Sequence, residues 1–231
     1  MADKLCWLGH AFFEIETSAG QNILIDPFWE DNPAAGSRPD HGDIILITHD
    51  HFDHCDNLAE FLAADGIIVG QPEVLNKIRA GSGESLQEEN FVLAGSGMNI
   101  GGTVNVKDVD ITMVQAFHSS DAGSPAGYII QTPEGKTFYH AGDTGIFGGM
   151  DVLGDIYDID IAMLPIGSVF TMDPKQAAHA VKLLQPETAV PMHYGTFEVL
   201  VQSADEFCRL VARKMQDVEV MAIEPGETIE C

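Results

Sequence analysis

Apolar residues along this chain fall into two spacings, and each spacing marks a different kind of element. Residues 4–8, 11–16 and 22–25 are rich in β-forming side chains and are separated by Gly-His and Ala-Gly turns, so they read as three short strands. Residues 43–48 contain the unbroken run Ile44-Ile45-Leu46-Ile47, as expected of a strand covered on both faces. Residues 57–64 have the spacing of a short helix, 67–69 that of another buried strand, and 72–79 that of a helix with Pro72 in its first turn. Residues 81–97 are polar and Gly-rich and read as a loop. Strands are then expected at 103–106, 111–115, 127–131, 136–140 and 159–164. Asp173 is the expected N-cap of a helix running to 184, with Pro174 at its first position. A short strand at 189–191, a helix at 204–215 and a last strand at 218–223 complete the pattern. Strands followed by mixed β/α, twice over, predict an α+β fold of four layers, αββα, with two sheets inside and helices outside. The expected organisation is one domain over 1–231, made of two similar halves joined near 81–97.

Charge narrows the range of partners. The chain has 36 Asp+Glu against 11 Lys+Arg, a formal net charge of −25. Nucleic-acid binding draws most of its affinity from Lys and Arg, and anionic membranes recruit the same residues, so neither partner is expected. A small-molecule substrate is expected instead, with a homo-oligomer left open. The four cysteines (Cys6, Cys55, Cys208, Cys231) form no CxxC, and no apolar run approaches the roughly 18 residues of a membrane span. The first residues are too few and too charged for a signal peptide, so a reduced, cytoplasmic protein is expected.

The chemistry concentrates in Thr48-His49-Asp50-His51-Phe52-Asp53-His54, directly after the first buried strand. On a tight loop His49 and His51 point to one side, while Asp53 and His54 reach a second position. Imidazole with carboxylate suits borderline divalent ions such as zinc, iron or manganese. Further ligands must come from elsewhere. His118, Asp143 and His193 each stand just past a predicted strand, and such loops gather at one edge of layered β/α folds.

His-x-His-x-Asp-His at 49–54, followed by His118, Asp143 and His193, resembles the metallo-β-lactamase superfamily over essentially the whole chain. Asp26, in Ile25-Asp26-Pro27-Phe28, matches that superfamily's early aspartate. Within it the chain is similar to small metal-dependent hydrolases related to ascorbate-6-phosphate lactonase. The segments Leu8-Gly9-His10, Ala116-Phe117-His118-Ser119-Ser120, His140-Ala141-Gly142-Asp143-Thr144 and Pro191-Met192-His193-Tyr194-Gly195-Thr196 carry the closer match. The resemblance implies that His49, His51 and His118 hold one metal, that Asp53, His54 and His193 hold the other, and that Asp143 bridges them. It also implies that Asp26 orients a ligand imidazole. Two divalent ions, zinc first, with manganese, iron or nickel as alternatives, would supply a hydroxide shared between them at neutral pH. The expected activity is hydrolysis of a small ester, lactone or phosphoester, with Asp53, Asp143 and His10 as catalytic residues and His140 close behind the ligands. The competing readings are an iron redox protein on the same fold, a phosphodiesterase acting on nucleotides, and a non-catalytic metal binder.

Three residues depart from the pattern of the nearest relatives: Asp50 where Gly is usual, Cys55 where Leu is usual, and Ser168 where Asp is expected. Asp50 is expected to point to solvent and Cys55 to be a small buried side chain. Tyr194, Thr196, Ser119 and Ser120 are candidate donors to substrate, while His41 and His179 read as peripheral.

Overall fold

The computed structural model describes residues 2–231 and contains two mixed sheets. The first is built from β1 (Lys4–Gly9), β2 (Phe12–Glu16), β3 (Asn22–Ile25), β4 (Gly42–Leu46), β5 (Leu62–Val69) and, from the far end of the chain, β13 (Thr228–Glu230). The second contains β6 (Thr103–Val106), β7 (Val109–Gln115), β8 (Ala126–Gln131), β9 (Thr137–His140), β10 (Ile161–Pro165), β11 (Thr188–Met192) and β12 (Glu219–Val220). The helices are α1 (Leu58–Phe61), α2 (Pro72–Ser82), α3 (Gly149–Ile156), α4 (Pro174–Leu184) and α5 (Asp205–Lys214). The result is the expected four-layer α+β sandwich.

Both sheets begin antiparallel and end parallel. β13, β1, β2 and β3 pair antiparallel, then β3, β4 and β5 pair parallel. β6 to β9 pair antiparallel, then β9 to β12 pair parallel. These directions send the C-terminal ends of β1, β3 and β4 to one edge of the first sheet. The same rule sends those of β7, β9, β10 and β11 to one edge of the second.

The inner faces meet in one apolar core that includes Phe13, Leu46, Met113, Ile130 and Met163, all fully buried. Phe12 meets Phe61 edge-on at 5.7 Å, and Phe13 meets His140 across the sheets at 5.7 Å. Tyr128 on β8 donates its hydroxyl hydrogen to the Ile47 carbonyl beyond β4 at 2.7 Å. Tyr128→Phe leaves that carbonyl without this partner inside the core, so a loss of about 1–2 kcal/mol is expected in urea denaturation.

Several expected elements change length. The helix expected at 57–64 is a single turn, because Asn57 sits in the left-handed region (φ 51°) before it and the chain turns extended at Leu62. The last strand expected at 218–223 shrinks to Glu219–Val220, since β11 offers it only Thr188 and Ala189 as partners. The segment 81–97 is not all loop: α2 runs to Ser82, a 3-10 turn covers Glu88–Asn90, and Phe91 and Val92 are buried beside β5. The helix α3 and the strand β13 were not expected. At α4, Asp173 caps as expected, accepting from the backbone N–H groups of Lys175 (2.9 Å) and Gln176 (2.7 Å). No helix is long and apolar enough to cross a membrane.

Candidate metal centre

Every residue expected at the site follows the C-terminal end of a strand, except His140, which is the last residue of β9. His10 follows β1, Asp26 follows β3, the cluster 49–54 follows β4, His118 follows β7, Asp143 follows β9 and His193 follows β11. Because those ends share one edge, residues far apart in sequence arrive together. Among the described residues, ligand-capable atoms converge in two principal groups: His49, His51 and His118, and His10, Asp53, His54 and His193. A third group, Asp26 with His49 and His54, lies behind them.

Asp26 organises the base. One of its oxygens accepts from the Thr48 backbone N–H (2.8 Å). The other accepts from the Thr48 hydroxyl (2.6 Å) and from His54 Nδ1 (2.8 Å). With its proton committed to Asp26, the Thr48 hydroxyl can only accept from His49 Nδ1, which lies 3.0 Å away. Both imidazoles are thereby left with Nε2 facing the site. Burial pulls the His49 pKa down, aided by His54, to about 3, so this ring is neutral. His54 behaves oppositely. Burial would lower it, but the Asp143 and Asp26 carboxylates outweigh burial and hold the imidazolium well above its usual value.

Asp143 lies between the two groups. Its Oδ2 is 3.0 Å from His193 Nε2 and 3.5 Å from both His54 Nε2 and His118 Nε2. Yet His54 Nε2, Asp143 Oδ1 and both ring nitrogens of His193 are buried without an aligned hydrogen-bond partner. Buried polar atoms are rarely left this way. Several in one spot, all nitrogen or carboxylate oxygen, are what a borderline divalent ion would satisfy. The donor set therefore fits metal. Burial would raise the Asp143 pKa, but His193 and His54 overcome it and keep the carboxyl well below its usual range.

His10 and His140 stand behind this layer. His10 Nε2 lies 3.1 Å from Asp53 Oδ2 and Nδ1 lies 3.0 Å from the Thr196 hydroxyl. A carboxylate can only accept, so Nε2 donates and Nδ1 accepts. Burial, with His193 adding to it, lowers the His10 pKa to about 4. His140 Nε2 donates to the Ala11 carbonyl (3.0 Å) and its Nδ1 accepts from the Gly142 N–H (3.2 Å), holding the turn that presents Asp143. A side chain at Gly142 would meet the Ala126 carbonyl oxygen at 2.3 Å, and its φ of 60° suits glycine. Three residues of the site share that left-handed backbone without being glycine: His10 (φ 60°), Asp26 (φ 50°) and His193 (φ 58°).

Asp50 corrects the expectation of a solvent-facing side chain. It is buried, ion-paired to Lys77, and accepts from the Ser120 hydroxyl (2.6 Å) and the Asp121 N–H (2.9 Å). These bonds clasp the His-rich loop to the loop carrying His118, and they also engage Ser120, so that hydroxyl is not aimed at substrate. Asp50→Ala would strand these donors, and a loss of about 2 kcal/mol is expected in thermal or urea unfolding. Cys55 donates to the His51 carbonyl (3.2 Å), belongs to no ligand group, and burial pushes its thiol up to about 11. Tyr194 stacks on Trp7 at 5.1 Å, a packing contact, and Ser168, His41 and His179 are exposed.

A cavity of about 350 Å³ opens onto this edge. Phe52, Phe170 and Ser119 line it beside His51, Asp53, His118, Asp143 and His193. Sequence reasoning missed Thr48, Thr144 and Phe170. The Thr144 hydroxyl accepts from the Phe117 N–H (3.0 Å), joining the loops of His118 and Asp143. Thr48 and Thr144 were signalled only by standing next to expected ligands.

Comparison with known proteins agrees with this fold. The model of the β-lactamase superfamily domain matches residues 21–194. A UPF0173 metal-dependent hydrolase of Nitratidesulfovibrio vulgaris is 46% identical, over 99% of this chain and 95% of that protein. Another from Methanopyrus kandleri is 44% identical, over 98% of this chain and 99% of that one. Among solved structures, Igni18, a metallo hydrolase from the hyperthermophilic archaeon Ignicoccus hospitalis, superposes with a TM-score of 0.86 at 35% identity, covering 99% and 98% of the two chains. The chain belongs to the metallo-β-lactamase superfamily, as one of its metal-dependent hydrolases.

Proposed function

We propose that this hydrolase works with two divalent ions on a small ester, lactone or phosphoester. His49, His51 and His118 would hold one ion, Asp53, His54 and His193 the other, and Asp143 both. The observation that carries this reading is the place of Asp143: one carboxylate oxygen faces imidazoles drawn from both groups, at 3.0–3.5 Å. The donor set suits zinc, manganese, iron or nickel.

When bound, such a pair supplies a nucleophile from water at neutral pH and a Lewis acid for the scissile oxygen. The chain's residues do the rest. Asp53 and Asp143 offset the charge of two close cations, which would otherwise repel strongly. Asp26, acting through Thr48 and directly on His54, fixes the rings of His49 and His54. His10 holds Asp53 in one orientation, and both its ring nitrogens are engaged, by Asp53 and Thr196, so it acts on the carboxylate rather than on substrate.

Metal loading has a proton signature. The Asp143 and Asp26 carboxylates favour a protonated His54, whereas burial favours neutral His49 and His10. Binding at His54 would displace that proton, and water ionised by two ions would lose another, so release of about one to two protons per chain is expected. Zinc titration calorimetry in two buffers of different ionisation enthalpy measures it, and mass spectrometry should count two metals per chain. A panel of lactones, p-nitrophenyl esters, thioesters and bis-p-nitrophenyl phosphate tests the reaction. A single metal per fully active chain would end the two-ion reading.

A further inference from the structure

The mouth of the cleft is aromatic. Phe52 and Phe170 line it, yet they are 68% and 57% exposed. Single exposed apolar residues are ordinary. Two large ones converging on one small cavity, directly over ligand-bearing loops, are not. Phe117 and Val169, the chain neighbours of His118 and Phe170, are exposed as well.

The Phe52 ring and the turn that carries Phe170 are held in place. Phe52 meets buried Phe28 edge-on at 5.9 Å and lies 6.5 Å from Phe197. Phe28 in turn meets the His10 ring at 5.6 Å. The turn carrying Phe170 is pinned at its base, where the Ser168 N–H donates to the Met172 carbonyl and the Met172 N–H donates to the Thr144 carbonyl beside Asp143, both at 3.0 Å. An exposed ring held open gives apolar surface that a substrate can cover without first rearranging the protein.

Charge points the same way. None of the Lys or Arg residues among the described residues lines the cavity. Lys77, behind the His-rich loop, is engaged by Asp50 and Asp121. A phosphate or carboxylate at the far end of a substrate would find phenyl rings and no cation in a protein of net charge −25. The volume of about 350 Å³ suits a small molecule rather than a peptide or polymer.

We propose that the substrate is a neutral ester or lactone carrying an aryl or medium-length alkyl group, which Phe52 and Phe170 receive at the cleft mouth. This rests on the hydrolase site proposed above and deepens it, favouring the ester and lactone classes over phosphoesters. Hydrolysis breaks the acyl–oxygen bond and adds water across it, leaving an acid and an alcohol from an ester or one hydroxy acid from a lactone; the apolar group takes no part in the bond changes.

Two readouts separate the parts. The first is binding of the neutral fluorophore N-phenyl-1-naphthylamine to the protein as isolated, with its metals. The double variant Phe52→Ser/Phe170→Ser should bind it at least about tenfold more weakly, while Ile156→Ser, at an exposed apolar residue on α3, should bind as the parent does. The second is kcat/KM along p-nitrophenyl acetate, butyrate and hexanoate. Each buried methylene is worth about threefold to fourfold, so the series should rise at least about tenfold in the parent and flatten in the double variant. Equal fluorophore binding in parent and double variant overturns the proposal, as does a series that stays flat in the parent while its esters are hydrolysed. A parent dimer that the double variant abolishes, with fluorophore binding unchanged, would assign the patch to a second copy of the chain and overturn it too. Fluorophore binding that depends on the two rings, with no ester or lactone turned over, would support the apolar receptor while sinking the proposed reaction.

Discussion

In the two-ion site proposed above, replacing Asp143 with alanine is expected to lower kcat/KM at least about a thousandfold and to reduce bound metal to one ion per chain or fewer. The carboxylate is buried and faces His54, His118 and His193. Without it, Asp53 alone would remain to offset two close cations, and their repulsion would eject one. Asp143→Asn keeps the shape and deletes the charge. It should lose nearly as much, which assigns the effect to electrostatics rather than to an emptied space. Metal analysis alongside kinetics decides the matter: a variant that keeps both ions and more than a tenth of the activity would remove Asp143 from the centre.

Asp26→Ala is the most damaging single change expected for stability, at about 3–5 kcal/mol in urea denaturation. It leaves the Thr48 N–H, the Thr48 hydroxyl and His54 Nδ1 without their acceptor in a fully buried place. At the size of this chain that corresponds to a melting midpoint lower by roughly 10 °C. The loss depends on pH. Burial would raise the Asp26 pKa, but His54 outweighs it and holds the carboxyl below its ordinary value. That contribution is present above the unfolded carboxyl value of about 3.9 and disappears as pH falls through the lower folded one. His54 is raised, so its share is complete below the unfolded value of about 6.5 and disappears as pH rises through the higher folded one. The gap between parent and variant should therefore be widest between about pH 4 and 6.5 and narrow on both sides. A gap under about 1 kcal/mol inside that window would mean that water replaces the carboxylate.

Much of this was legible in the chain. Ile44-Ile45-Leu46-Ile47 is a buried strand because nothing polar interrupts it, and imidazoles clustered directly after such a strand are placed where a layered fold gathers metal ligands. What was illegible depends on partners distant in sequence. The strand β13 is three residues with two of them polar, and only its pairing with β1, at Lys4–Glu230 and Leu5–Ile229, makes it a strand. The helix α3 opens with Gly148 and Gly149 and reads as a turn until α4 packs against it. Asp50 looked like surface charge because its partners, Lys77, Ser120 and Asp121, lie 27 to 71 residues away. Phe170 offered no signal, because an apolar residue meant for substrate has the same letter as one meant for the core.

The left-handed backbone at His193 bears on how such a protein could decay. This position combines a conformation that favours glycine with a ring whose two nitrogens find no aligned partner in the metal-free chain. Backbone strain of this kind costs on the order of 1 kcal/mol. The ring's own contacts, with Asp143 Oδ2 at 3.0 Å and with the His10 ring at 3.9 Å, are with other residues of the site. A lineage released from the need for hydrolysis would have no stability reason to keep it, and drift would erase it early. On the metal role proposed above, a histidine held at this position is what continued hydrolysis predicts.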